Sequence, residues 1–366
     1  MATAKGAGAK ALWRNIHLWI GLGLFVVLAP LGLSGSLLVW DDALGKAMHP
    51  ARYAVTTGAQ SPGAYLEAAQ RAFAGRAVPA QLRLPQDPGV PVTVTGYRTG
   101  AAPTGQRPPQ LTAWIDPGSA RVLEVANPRQ DALGVIHQLH GNLLLPQNGR
   151  AVVGWLGLFM LALSVTGLIL WWPRGAKLRR GLRWTRSSWL SSNLHHMTGF
   201  WISLPLAILS ISGAYIAWPQ MVGASPQGQG GRPGGGFAAP LASRHTNLDQ
   251  ATAAAEQAVG DDARLVSATV PTAGGKPSWR LQLRAPGAEP VTVRVDDATG
   301  RARAQPGRAT EGPGGGDPLA VFMRRLHDGS GYGPAWQWII TLAGAAPTLL
   351  GITGAIVWLK RRKISA

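Results

Sequence analysis

Four stretches of this chain are almost unbroken in apolar character, and charge marks where most of them stop. The first covers residues 15–40, with no charged residue between Arg14 and Asp41. The second covers 151–173, uncharged between Arg150 and Arg174; the third and fourth run over about 194–218 and 335–359. Each is long enough to cross a bilayer as a helix, which takes about 20 residues. The first is too long for a cleaved leader, and its pattern returns later in the chain. Between the spans the pattern changes. Residues 61–73 read as an amphipathic helix with Pro62 near its start and Tyr65, Leu66, Ala69 and Phe73 on one side, and 246–259 reads the same way, with Thr246 or Asp249 near its start. Alternating, strand-like runs follow each helix: 80–84, 90–97, 111–115 and 122–125 after the first, then 265–270, 278–283 and 291–295 after the second. A helix packed on a small antiparallel sheet is the expected unit in both places. Residues 222–240, rich in Gly, Pro and Gln, and 311–317 read as loose joints.

Charge gives these elements an orientation. Residues 1–14, 174–193 and the segment after 359 together hold thirteen basic residues and no acidic one. The segments 41–150 and 219–334 are close to balanced, with ten basic against seven acidic residues and twelve against ten. Most of the net charge of +18 therefore lies on short segments beside span ends, which places both termini in the cytoplasm. Basic clusters in those places suit anionic lipid and exclude a nucleic-acid partner. Thirteen of the fifteen tryptophans lie in or near the spans, as interfacial anchoring requires; Trp114 and Trp279 are the exceptions. The organisation expected is 1–40, cytoplasmic start and first span; 41–150, outer domain; 151–173, second span; 174–193, basic loop; 194–218, third span; 219–334, second outer domain; 335–366, fourth span and cytoplasmic tail. The cytoplasmic pieces are too short for a nucleotide-binding domain. Cysteine is absent, which excludes disulfides, thiolate metal sites and covalent haem attachment. The spans hold no acidic relay of the kind a proton-coupled transporter needs.

The chain also repeats itself. Asn15-Ile16-His17 opens the first span and Asn193-Leu194-His195 the third; Ser-Gly follows each histidine after seventeen positions and Trp after twenty-three. Leu139-His140 and Leu326-His327 precede the second and fourth spans, with Thr-Gly twenty-six positions on and Trp thirty-one. Gly157 and Gly344 correspond as well. The expected fold is an α-helical membrane bundle of four spans from a tandem duplication, with two extracytoplasmic α+β domains.

Four of the eight histidines fall on these matched positions. A single histidine at a helix end is ordinarily an interfacial residue with a polar tip, but two matched pairs are what a pair of two-ligand metal sites needs. His17 and His195 begin spans at the cytoplasmic edge. His140, on a short helix expected over 132–144, and His327 lie at the other edge. With no Asp, Glu or Cys in the spans, a four-ligand zinc cage is excluded. Haem brings four ligands of its own and needs only one or two more, so two facing imidazoles suffice, and the absence of cysteine makes it haem b. Two haem b groups are expected, serving electron transfer. The Gly, Ser-Gly and Thr-Gly positions of the spans fit close approach or plain helix packing. His196, beside His195, is an alternative ligand. His137, three residues before His140, is a spare ligand or a partner for haem propionate. Met48, Met197 and Met323 are weaker candidates, and His49 and His245 read as outer-domain surface residues.

In this order and spacing, the span-opening N-x-H, the outer Leu-His, the mid-span Ser/Thr-Gly and the closing Trp resemble the PepSY-associated transmembrane family over nearly the whole chain. The resemblance implies PepSY-like outer domains and an inner-membrane, multi-pass reductase of Gram-negative bacteria. It implies haem ligation by His17, His195, His140 and His327, and electrons passed outward to Fe(III) held by a siderophore in the periplasm, from a quinol or a cytoplasmic reductase. The doublet His195-His196 leaves two candidates for one ligand. Two other functions fit the same sequence: a membrane-anchored PepSY module that regulates or inhibits a protease, and a haem electron carrier with another acceptor.

Overall fold

The computed structural model describes residues 2–99, 109–145, 148–172, 187–218, 238–260, 262–273, 275–305 and 318–365. Most of the basic loop 174–193, most of the 222–240 joint and the whole 311–317 joint lie outside the described residues. In chain order the elements are α1 (Ala2–Leu38), α2 (Asp41–Met48), a 3₁₀ turn at Pro50–Tyr53, α3 (Pro62–Phe73), β1 (Ala77–Arg83), β2 (Val92–Arg98), β3 (Gln110–Ile115), β4 (Val122–Ala126), α4 (Ala132–Asn142) and α5 (Gly149–Trp171). The second half gives α6 (Leu190–Ala217), α7 (Leu248–Val259), β5 (Arg264–Thr269), β6 (Ser278–Arg284), β7 (Val291–Asp296), β8 (Ala302–Gln305), α8 (Pro318–Asp328) and α9 (Gly333–Ser365). The chain divides into a helical unit (Met1–Asp41, Gly134–Ser225, Leu319–Ala366) and a sheet unit (Asp42–Leu133, Pro226–Pro318).

Among the described residues the helical unit has four helices long and apolar enough to cross a membrane: Lys10–Leu38, Gly149–Trp171, Leu190–Ala217 and Gly333–Lys363. Large apolar side chains such as Val26, Trp201, Leu204 and Leu342 stand exposed on them, the surface a lipid environment solvates. α1 packs on α5 and α9, and α6 packs on the same two, so α1 and α6 face each other across the bundle. Small residues set the approach of α1 to α9: a Cβ on Gly32 would run into the carbonyl of Gly344, and one on Gly344 into Ser36. Ser36 Oγ then donates to the Thr341 carbonyl at 2.7 Å, and Trp40 Nε1 to Thr341 Oγ1 at 3.0 Å. α1 begins at Ala2, well before the apolar run, because residues 2–14 carry good helix formers and no proline. Hydropathy marks where a helix meets lipid and leaves its solvated ends unmarked.

In the sheet unit all eight strands form one antiparallel sheet in the order β4-β3-β2-β1-β5-β6-β7-β8. The sequence reading gives residues 41–150 and 219–334 a small sheet each. The two sheets meet where β1 pairs with β5, Leu82 opposite Ala268 with Gln81 opposite Thr269 and Arg83 opposite Ser267. α3 and α7 pack against the strands and against each other over a single core that holds Tyr65, Phe73, Leu82, Val94, Trp279, Leu281 and Val293. Expected and observed strands agree within a few residues; β8, four residues long, was not anticipated.

Polar contacts then fasten the loops. α7 starts on Asn247, whose side chain accepts from Gln250 N while Gln250 returns the bond. Asp249 lies in the first turn of α7, as expected, and its carboxylate accepts from Gly63 N at 2.7 Å and Ser61 Oγ at 3.0 Å, which also places it at the N-terminus of α3. Asp116, in the β3–β4 turn, accepts from Thr56 N, Thr56 Oγ1 and Ser119 Oγ at 2.5–2.6 Å. Burial pushes its carboxyl up, but those hydrogen bonds outweigh burial and pull it down to about 2. Buried Arg52 donates to Glu124 at 2.9 Å and to Asp131 at 3.0 Å, with its guanidinium 3.9 Å from the Trp114 ring. This cluster holds the 3₁₀ turn, β4 and the residue before α4 together. His49, read from sequence as a surface residue, is half-buried 3.5 Å from Asp131.

Two facing histidine pairs

In every span a backbone carbonyl and a hydroxyl one turn apart receive an imidazole from another helix. On α5, Thr166 Oγ1 donates to the Ala162 carbonyl at 2.7 Å. A hydroxyl already donating has its lone pairs left, so His17 Nδ1, 2.8 Å away, is the donor to it. The ring also engages the backbone of Leu163. On α9, Leu350 O and Thr353 Oγ1 each lie 3.1 Å from His195 Nδ1. On α1, Leu31 O is 2.9 Å from His140 Nδ1 and Ser34 Oγ 3.4 Å. On α6, Leu209 O and Ser212 Oγ each lie 3.1 Å from His327 Nδ1. A carbonyl only accepts, so Nδ1 carries the proton in these rings, and the lone pair is left on Nε2, the state in which a histidine binds a metal.

Each hydroxyl is followed by a glycine, and that glycine is where the ring lies. A Cβ on Gly35 would stand 2.7 Å from His140 Cε1, and one on Gly213 2.9 Å from His327 Cε1. The same construction at Gly167 and Gly354 meets His17 and His195 Cε1 at 3.3 and 3.2 Å. The Ser-Gly and Thr-Gly pairs, which sequence alone leaves between packing and ligand approach, are thus cradles for the four imidazoles. Their full signal is a five-residue pattern that occurs in each span, Leu31-Gly-Leu-Ser34-Gly35, Leu163-Ser-Val-Thr166-Gly167, Leu209-Ser-Ile-Ser212-Gly213 and Leu350-Gly-Ile-Thr353-Gly354. Reading only its last two residues hid the carbonyl acceptor at the leucine.

The four rings come together as two pairs. His17 and His195, on the facing helices α1 and α6, have ring centres 6.3 Å apart with planes at 87°. His140 on α4 and His327 on α8 have centres 6.0 Å apart with planes at 39°. A metal–imidazole bond is about 2 Å and the nitrogen lies about 1 Å from its ring centre, so two imidazoles on opposite sides of one metal have centres about 6 Å apart. Both pairs meet that spacing. Each pair offers two donors, a set that fits a metal bringing its other ligands with it.

The other candidates take different places. His196 lines the same cavity as His17 and His195, its ring centre 6.4 Å from that of His195. His137 is exposed and stands 3.9 Å from Asp41 Oδ1, turned to a carboxylate. Met48 is exposed, and Met197 and Met323 are half-buried. The cavity beside His17 and His195 measures about 760 Å³, within the range of small-molecule sites. Buried Leu28, Met160 and Leu206 line its deep part.

No curated protein matches the chain. The description PepSY-associated TM region matches residues 14–361, which cover nearly all of the sequence and both histidine pairs, and the chain belongs to that transmembrane family.

Proposed function

We propose that this chain is a di-haem oxidoreductase of the bacterial inner membrane that reduces Fe(III) held by a siderophore in the periplasm, so releasing the iron. One haem b is held by His17 and His195 and the other by His140 and His327. The observation that carries this reading is the pair of ring separations, 6.3 and 6.0 Å, in rings whose Nδ1 atoms are already engaged. A haem with two imidazole ligands supplies one-electron transfer and leaves no open position for oxygen chemistry.

The protein's own part is to hold four neutral imidazoles still and to keep water from them. Along α1, His17 and Ser34, the neighbour of His140, are seventeen residues apart, a rise of about 26 Å against a hydrocarbon thickness of about 30 Å. The pairs accordingly serve opposite leaflets. The basic flanks put His17 and His195 on the cytoplasmic side and the eight-stranded sheet in the periplasm. Tandem duplication accounts for like elements in like order in the two halves. The donor is a quinol or a separate cytoplasmic reductase. Reduction softens a ferric ion held by hard oxygen ligands and loosens its chelation, so the iron leaves without cleavage of the siderophore.

The test is an absorption spectrum of protein purified with adequate haem supply. A Soret band of six-coordinate low-spin haem, two haems per chain, and reoxidation of the dithionite-reduced form by a ferric chelate are expected. Absence of any Soret band overturns the reading in favour of a membrane-anchored PepSY regulatory or protease-inhibitory module. Haem that no ferric chelate reoxidises makes the chain an electron carrier with another acceptor.

A further inference from the structure

The cavity at His17 and His195 carries its cationic side chains at one end only. Arg14, one turn before His17, lines it, as do Arg361 and Arg362, about two turns beyond Thr353 on α9. All three guanidinium residues are exposed, while Leu28, Met160 and Leu206 close the far part. Arg362 also lies over the Trp358 ring, 5.1 Å from its centre, and Trp358 itself lines the cavity. A mostly apolar chamber, whose Ser164 and Ser203 hydroxyls are committed to carbonyls of their own helices, with three cations on one side matches a ligand with an apolar body and anionic groups along one edge. Guanidinium forks are the side chains best shaped to take carboxylates.

We propose that Arg14, Arg361 and Arg362 form a carboxylate clamp that receives the two acid side chains of the ring held by His17 and His195, and so fixes which edge of that ring faces the cationic end. The clamp rests on the haem reading above. Its rival is simpler: arginines at a span end that bind lipid phosphate only.

The full-length apoprotein, in a detergent without phosphate, is titrated with haem b and with its dimethyl ester, which has the same ring and no carboxylates. The His17–His195 site is followed by its own low-spin resonance, since its imidazole planes are near perpendicular and those of the other pair are not. The acid form is expected to bind that site about tenfold more tightly than the ester, the sum of three modest, solvent-screened pairs. R14Q, R361Q and R362Q together remove the preference and leave the bis-imidazole spectrum unchanged; the matching Lys variants restore part of it. The substituted residues are exposed, so the fold is not at risk. Equal binding of acid and ester by the unmodified chain, or a preference that survives the triple substitution, overturns the clamp and leaves the arginines to lipid, with the haem reading intact. A chain that binds neither ring overturns both.

Discussion

His17 Nδ1 lies 2.8 Å from Thr166 Oγ1 on a different helix, 149 residues away in sequence. The contact fixes both the tautomer and the aim of the ring, since the hydroxyl is committed as a donor to Ala162 O. Replacing Thr166 with Val keeps the volume and removes the hydroxyl acceptor, leaving the ring only the Leu163 backbone. Ligand-orienting partners of this kind are worth about 10- to 100-fold in metal-centre affinity. Thr166→Val is expected to lose that much haem affinity at one site and Thr166→Ser to lose little, read by haem titration into apoprotein.

The glycine cradles give a graded prediction. At Gly35 and Gly213 an added Cβ would meet the imidazole at 2.7 and 2.9 Å; at Gly354 and Gly167 it would meet it at 3.2 and 3.3 Å. Gly35→Ala and Gly213→Ala should each cost the chain one haem of two, by displacing His140 or His327. Gly167→Ala and Gly354→Ala should keep both and weaken one. Haem per mole of purified protein is the measurement, and equal losses in all four would remove the steric argument.

The two sites should also differ spectroscopically. The angle between two axial imidazole planes sets how the iron d orbitals split. At 87° in one pair and 39° in the other, the oxidised protein should give two resolved low-spin electron paramagnetic resonance signals, the more anisotropic from His17–His195. His17→Ala should remove that signal and spare the second.

Asp116 predicts an acid limit for the sheet unit. Its carboxyl lies at about 2, below the ordinary 3.8, so the ionised form stabilises the fold. That contribution is complete above 3.8 and is lost as pH falls through about 2. Thermal melting of Asp116→Asn should fall below wild type at pH 7, and the gap should narrow below pH 3.8. A gap of constant size across that window would mean that charge is not what the turn needs.

Arg52 is 6% exposed and pairs with two carboxylates at once. Its hydrogen bond holds the Glu124 carboxyl below the usual range. Arg52→Ala leaves Glu124 and Asp131 without that cation and uncovers Trp114, an expected loss of about 3 kcal/mol by denaturant melting. A loss near zero would show that the cluster is ornamental to stability.

How much of this could be read from the residues alone follows from the range of each interaction. The spans, the outer helices and most strands are local patterns, and Leu139-His140 and Leu326-His327 are legible as equivalents because their spacing to Thr-Gly is identical. What stayed hidden depends on which helix meets which. Nothing in the sequence pairs His17 with Thr166 while setting His140 on Leu31 and Ser34. Asp249 looks like the start of its own helix, and only the tertiary approach of α7 to α3 turns it to Gly63. The Arg52 cluster joins residues 72 and 79 positions apart, beyond any periodicity.

The seam between β1 and β5 has a consequence for anyone who would cut the protein in two. Three residue pairs hold it, at Gln81, Leu82 and Arg83, with flanking backbone bonds from Leu84 N to Val266 O and from Val270 N to Ala80 O. Severed there, either fragment would present a raw, unpaired margin with its hydrogen-bonding groups bare, an invitation to a neighbouring molecule. The best available stand-in would be a twin of the same fragment, so half-length versions should be found as couples, not singly.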